Sequence, residues 1–155
     1  MTDEFLQWLR AQLDYDEQIA RAASAPDIQG QDPQPSWAAR HYPTGDTGGP
    51  RQATVTARGT LVASELNPWN IDVAMARVVH MAEHDPARVL AEVEAKRGVL
   101  RQYDELREQV RHPVSAESRA RARALQGEIG DVLCLLALPY ADRPGYLDEW
   151  RPHTS

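Results

Sequence analysis

The feature that most constrains this chain is one long helical period between two prolines, followed by a second helical stretch. Asp85-Pro86 opens the first stretch and Pro113 closes it. Asp85 suits an N-cap and Pro86 the first helical position. Between them Val89, Val93, Leu100, Tyr103 and Val110 keep a 3-4 spacing, which Lys96 and Arg107 interrupt. Such a pattern predicts one amphipathic helix over 86–111. Its length would be about 39 Å. A compact domain of this size has a radius of gyration of about 15 Å, so the helix must cross the molecule or project from it. Ser115 caps the next predicted helix, which ends at Pro139 and is expected to bury Leu125, Ile129, Val132, Leu133 and Leu136. Two helices with so short a link form an antiparallel hairpin. Gly127 and Gly130 weaken the second arm or let another backbone come close.

Upstream, Thr2 can cap a helix whose first turn holds Asp3 and Glu4, the favourable sign at that end. Phe5, Leu6, Leu9 and Leu13 set a core-facing stripe, and the helix is expected to run to about Ala25 before Pro26 stops it. Residues 26–35 read as a polar, flexible connector. Residues 36–64 change to a β pattern. Strands are expected at 37–42, 53–57 and 60–63, with turns at Thr44–Pro50 and at Arg58-Gly59. Helix returns near Asn70–Asp72 and runs toward His84. The tail, 139–155, holds Tyr140, Tyr146, Leu147 and Trp150 around Pro144-Gly145, a type II turn pair. It is expected to fold back on the helices. The fold class is therefore α+β: an N-terminal helix, a small antiparallel β-meander and a long C-terminal helical hairpin with a folded-back tail, all within a single domain, 1–155.

Composition removes several function classes. Net charge is −6, with a net −5 over residues 1–34 and +3 over 86–125. An acidic whole weighs against nucleic acid as a partner, because phosphate contacts dominate that affinity. No apolar run approaches the roughly 20 residues needed to cross a bilayer. The acidic start does not resemble a signal peptide. Cys134 is the single cysteine, which excludes an internal disulfide and a cysteine metal cluster. These features point to a cytoplasmic protein without a cofactor. Sixteen of the 17 basic residues are Arg, a bias a GC-rich genome produces and not a functional signal.

Few motifs carry chemistry. His80-Met-Ala-Glu-His84 matches the H-x-x-E-H pattern, in which two His one turn apart bind zinc and the Glu handles the water proton. Pro86 places His84 at the very end of its helix, and no distal third ligand stands out. The plainer reading is a helix C-terminus, where His suits the dipole. Arg119, Arg121 and Arg123 form a small basic patch that could hold a phosphate or an acidic partner. Alternating helix positions do not share a face, so a solvated basic surface is the plainer reading here too. Asp14, Asp16 and Glu17 lack the spacing of a calcium loop. Nucleotide-binding loops and a nucleophile elbow are absent from the sequence.

Two segments carry a resemblance. One is His80-Met-Ala-Glu-His-Asp-Pro-Ala-Arg-Val-Leu-Ala-Glu-Val-Glu-Ala-Lys-Arg97. The other is Leu136-Ala-Leu-Pro-Tyr-Ala-Asp-Arg-Pro-Gly-Tyr-Leu-Asp-Glu-Trp-Arg-Pro152. With Phe-Leu-x-Trp-Leu-Arg-Ala-x-Leu-Asp in the first helix, they resemble the domain of unknown function 6221 family, small proteins of actinobacteria and their phages. The resemblance covers the first helix and most of 73–152, and the middle weakly. It implies no activity. Many similar proteins carry a cysteine cluster suggestive of structural zinc where this chain has Ser115–Asp131, so helix packing is expected to replace the metal.

The function expected is a non-enzymatic interaction protein, phage- or host-related, with a protein partner and self-association through the hairpin. Its candidate binding residues are Tyr140, Tyr146, Trp150, Trp69, Arg119 and Arg123. One alternative is a metal-dependent hydrolase using His80, Glu83 and His84. Another is weak nucleic-acid binding through Arg119–Arg123.

Overall fold

The computed structural model describes residues 1–24, 36–42, 52–57, 60–66 and 71–152. Four helices and three strands follow in the order α1 (Asp3–Ala23), β1 (Ala38–Tyr42), β2 (Gln52–Ala57), β3 (Thr60–Leu66), α2 (Ile71–Glu83), α3 (Pro86–Arg111) and α4 (Ala116–Ala137). Two single-turn 3-10 helices, Leu138–Tyr140 and Asp148–Trp150, shape the tail. The α+β reading holds, with helix, meander, hairpin and folded-back tail in the expected order. The expected connector at 26–35 and the turns at 44–50 and 58–59 lie outside the described residues.

Contacts divide the chain into two compact units. One is Met1–Tyr15 with Glu92–Ser155, and the other is Asp16–Ala91. Helices α1 and α3 each contribute to both.

In the second unit the strands are antiparallel, in the order β1-β2-β3. Val55 pairs with Ala39 on one side and Ala63 on the other. A register shift between Val55 and Thr56 marks an irregularity in the β2–β3 ladder. Strand side chains alternate across a sheet, so Ala53 and Val55 point to one face. There they form a buried cluster with Ala74 and Val78 of α2, edged by Trp37, Ala39, Met75 and Ala82. Helix α2 thus lies across the sheet. Asp85 then does two things with one carboxylate. Its Oδ1 accepts from the Arg88 backbone N–H at 2.9 Å, which caps α3, and its Oδ2 accepts from the Trp37 N–H at 3.1 Å, which ties the start of β1 to that cap.

In the first unit, Thr2 caps α1 as expected, its Oγ1 accepting from the Phe5 N–H at 3.3 Å. Phe5, Leu6, Leu9 and Leu13 are buried. Three ion pairs set α1 antiparallel to α3: Asp3 with Arg107, Arg10 with Asp104 at 2.6 Å, and Asp14 with Arg97 at 2.6 Å. All are partly exposed, so they select register more than they stabilise. Helix α4 begins with a reciprocal capping box. The Ser118 N–H donates to Ser115 Oγ, and the Ser115 N–H to Ser118 Oγ, each at 3.0 Å. The hairpin is pinned where Gln126 Nε2 donates to the Tyr103 hydroxyl at 3.1 Å.

The buried face of α4 differs from the sequence expectation. Ala122, Gly130, Leu133 and Ala137 are buried, whereas Leu125 and Val132 are exposed. Of the five residues expected inside, Leu133 alone is fully buried, and Ile129 and Leu136 are half-buried. The inner face carries small residues beside Leu133, and Met1 packs closest to Gly130. A Cβ added at Gly130 would sit 3.0 Å from Met1 Cε and, in ordinary contact, 3.8 Å from Tyr103 Cε2.

The tail closes on α1. The Tyr146 N–H donates to Arg143 O at 3.3 Å, and Gly145 has φ +84°, as the predicted type II turn at Pro144-Gly145 requires. A Cβ at Gly145 would lie 3.1 Å from Trp8 Cδ1. Gly145→Ala therefore meets both a left-handed backbone and the indole. It is expected to lower unfolding free energy by at least about 1–2 kcal/mol in chemical denaturation. Unchanged stability would show that the turn is not held as described.

Candidate functional site

Four rings make the junction between α1 and the tail. Phe5 meets Trp150 edge-on at 5.2 Å, Trp8 lies 5.4 Å from Tyr146 and 5.3 Å from Trp150, and Tyr146 is 5.7 Å from Trp150. The Trp8 indole N–H also donates to Pro144 O at 3.0 Å. Aromatic pairs of this geometry each contribute about 0.5–1.5 kcal/mol beyond area burial. Tyr140 is seated separately. Its hydroxyl accepts from Lys96 Nζ at 2.8 Å, and Lys96 and Arg143 approach its ring to 4.8 Å and 4.6 Å from the centroid. Lys96, which interrupts the α3 stripe in the sequence, thus serves as the tail's anchor.

These contacts place the expected aromatic binding residues inside the molecule. Tyr140 and Trp150 are buried, and Tyr146 is half-buried among rings. The Tyr146 hydroxyl and Trp150 Nε1 are buried without a hydrogen-bond partner. Burial also raises the Tyr146 pKa above the ordinary tyrosine value, with Arg151 acting in the opposite direction. A raised folded-state pKa contributes stability that is present below the ordinary tyrosine range and lost as pH rises through the folded value. Tyr146→Phe removes a hydroxyl with no partner. It is expected to leave stability unchanged or raise it by up to about 1 kcal/mol, and to reduce the alkaline loss, as read by urea unfolding at neutral and high pH. A clear destabilisation at neutral pH would mean that the hydroxyl has a partner.

Beside this junction lies an open groove of about 1010 Å³. One wall is the face of α4 that carries Arg123, Gly127, Gly130, Asp131 and Cys134. The opposite side is Met1, Thr2 and Phe5 with Glu149–Pro152, and Tyr103 also lines it. A Cβ at Gly127 would meet nothing within 4 Å, so this glycine opens the groove. Arg123 and Arg151 supply positive charge, and Asp131 and Glu149 negative charge. Leu135 and Met1 supply the exposed apolar surface, and the buried rings of Phe5 and Trp150 lie behind it. Of the expected site residues, the groove gathers Trp150 and Arg123. Arg119 is exposed on α4 but does not line the groove, and Trp69 lies outside the described residues. The other lining residues were not singled out as binding residues from the sequence. Their signals were the Gly127/Gly130 pair and the Glu-Trp-Arg-Pro end of the tail motif.

Cys134 sits in the groove wall. Burial raises its thiol pKa above the ordinary value and Asp131 adds to that, while the N-terminal amine opposes it. A raised thiol pKa leaves little thiolate, the nucleophilic form. Cys134 should therefore be alkylated by iodoacetamide more slowly than free cysteine at mildly alkaline pH. Faster alkylation would mark an activated thiol and contradict this reading.

In the other unit, His80 and His84 are both exposed at the end of α2, with ring centroids 4.2 Å apart. His84 Nδ1 is 2.9 Å from the His80 carbonyl oxygen. Among the described residues, no group of three or more His, Cys, Asp or Glu side chains is placed to hold a metal ion. No helix among the described residues is long and apolar enough to cross a membrane.

No curated protein and no solved structure matches the chain. A family model does, over residues 2–152, a span that includes α1, the sheet, the hairpin and the Glu149–Pro152 wall of the groove. The chain belongs to this family, a family of unknown function (DUF6221).

Proposed function

We propose that the protein is a non-enzymatic interaction protein, which takes a short segment of a partner protein into the groove between α4 and Glu149–Pro152. The observation that carries this reading is the lining of the groove. Exposed apolar surface from Leu135 and Met1, backed by the buried Phe5 and Trp150 rings, lies among charged groups of both signs, which suits a peptide with an apolar anchor flanked by charges of both signs. At about 1010 Å³ the groove is at or above the upper end of small-molecule pockets, so it accommodates several side chains. The chemistry expected of an enzyme is poorly supported here. No histidine lines the groove, and its single thiol is held toward the protonated form. The family resemblance favours a partner from a host cell or its phages.

Gly127 provides the test. Its substitution by leucine fills the groove from a position where a Cβ meets nothing, and leucine is the better helix former. Panning a displayed random peptide library against the full chain should enrich peptides with an apolar anchor. Gly127→Leu should bind those peptides at least about tenfold more weakly while keeping its helical circular dichroism and its melting temperature. Equal binding by both proteins, or no enrichment at all, would refute the reading.

A further inference from the structure

Along α4 the charges of the groove have a definite order. Arg123, Gly127 and Asp131 line it at four-residue steps of one helix, and all three are exposed. Positions four apart form a ridge inclined about 26° to the helix axis. Each step advances about 6 Å along the axis, so the ends of this row lie about 12 Å apart. A guanidinium stands at one end and a carboxylate at the other. The middle position has no side chain, and a Cβ there would meet nothing within 4 Å. Met1, packed beside Gly130 less than one turn away, adds an apolar flank.

Both charges are available to a ligand. Neither Arg123 nor Asp131 takes an ion-pair partner among the described residues. On the opposite wall Arg151 is already engaged, its Nε 3.0 Å from Asp148 Oδ1, and Glu149 is exposed beside it.

Spacing and charge together describe an occupant. In an extended chain, residues i, i+2 and i+4 point to the same side, and i and i+4 are about 13 Å apart. That repeat matches the row on α4. Resting on the reading of the groove as a peptide site, we infer that it takes an extended segment of the form charged-x-apolar-x-charged. Its acidic side chain lies over Arg123, its apolar side chain over the bare backbone at Gly127, and its basic side chain over Asp131.

Fluorescence anisotropy of labelled synthetic peptides with the full chain tests this. The peptides are Glu-Ser-Leu-Ser-Arg and its reverse order, Arg-Ser-Leu-Ser-Arg, Glu-Ser-Leu-Ser-Glu and the uncharged Ser-Ser-Leu-Ser-Ser, all with blocked ends. The wild type should bind one of the two mixed peptides about fivefold more tightly than either like-charged one. Arg123→Glu should move the preference to the doubly basic peptide, and Asp131→Arg to the doubly acidic one. Both side chains are exposed, so the swaps leave the fold intact. Glu149 and Arg151 are common to all three proteins, so a change of preference reads Arg123 and Asp131 alone. A preference that does not follow the swaps would overturn the inference, as would wild-type binding of the uncharged peptide as tight as that of the mixed one. If such charge-blind binding is lost in Gly127→Leu, the peptide reading stands without this charge pattern. Failure of all five peptides would also overturn the inference, and failure of the panned peptides as well would end both readings.

Discussion

The helical unit depends on one junction, the packing of Trp150 and Tyr146 from the tail against Phe5 and Trp8 from the first helix. The Trp8–Pro144 hydrogen bond spans 136 residues of sequence, so this contact closes the chain on itself. Apolar and ring–ring contact dominates it. The Tyr146 hydroxyl and Trp150 Nε1 are buried without partners, and an unmet buried polar group costs about 1–3 kcal/mol. The tail docks despite that cost because four rings bury together. Lys96 and Arg143 around Tyr140 extend the same attachment along α3 and the 3-10 turn.

That junction also builds the groove. Trp150 is fixed by Phe5 and Trp8, and its neighbours Glu149, Arg151 and Pro152 are thereby set opposite α4. The tail residues that carry the family resemblance thus have two roles. Tyr140, Tyr146 and Trp150 hold the fold, and the polar residues beside Trp150 face the opening. Helix α4 in turn divides its circumference into three. Ala122, Gly130, Leu133 and Ala137 face inward, the side with Gly127, Asp131 and Cys134 faces the groove, and Leu125 with Val132 faces outward.

Much of the fold was legible because its punctuation is local. Asp85-Pro86, Ser115 and Thr2 each start a helix through a side chain that meets nearby backbone N–H groups, and Pro144-Gly145 makes its turn within four residues. The order of helix, meander and hairpin follows from such signals. The rotation of α4 was not legible. Apolar periodicity favoured Leu125, Ile129, Val132 and Leu136 as the inner stripe, but the buried face is Ala122, Gly130, Leu133 and Ala137, and the side chain that crowds Gly130 is Met1, distant in sequence. The interruptions in α3 were misleading for a similar reason. Lys96 and Arg107 break the apolar period, yet they are the residues that reach Tyr140 and Asp3. Of the groove, the sequence exposed only Arg123 and Trp150 as binding candidates, because its walls come from both ends of the chain.

The most direct test of the central claim is hydrogen exchange at the Trp150 indole N–H, followed by NMR. If the tail is held by the ring junction and so forms one wall of the groove, this proton is shut away from water. It should exchange as slowly as the core amides of α3, at the rate of global unfolding. Exchange near the rate of a free indole would mean that the tail opens independently of the helices, and neither the junction nor the groove would stand as described.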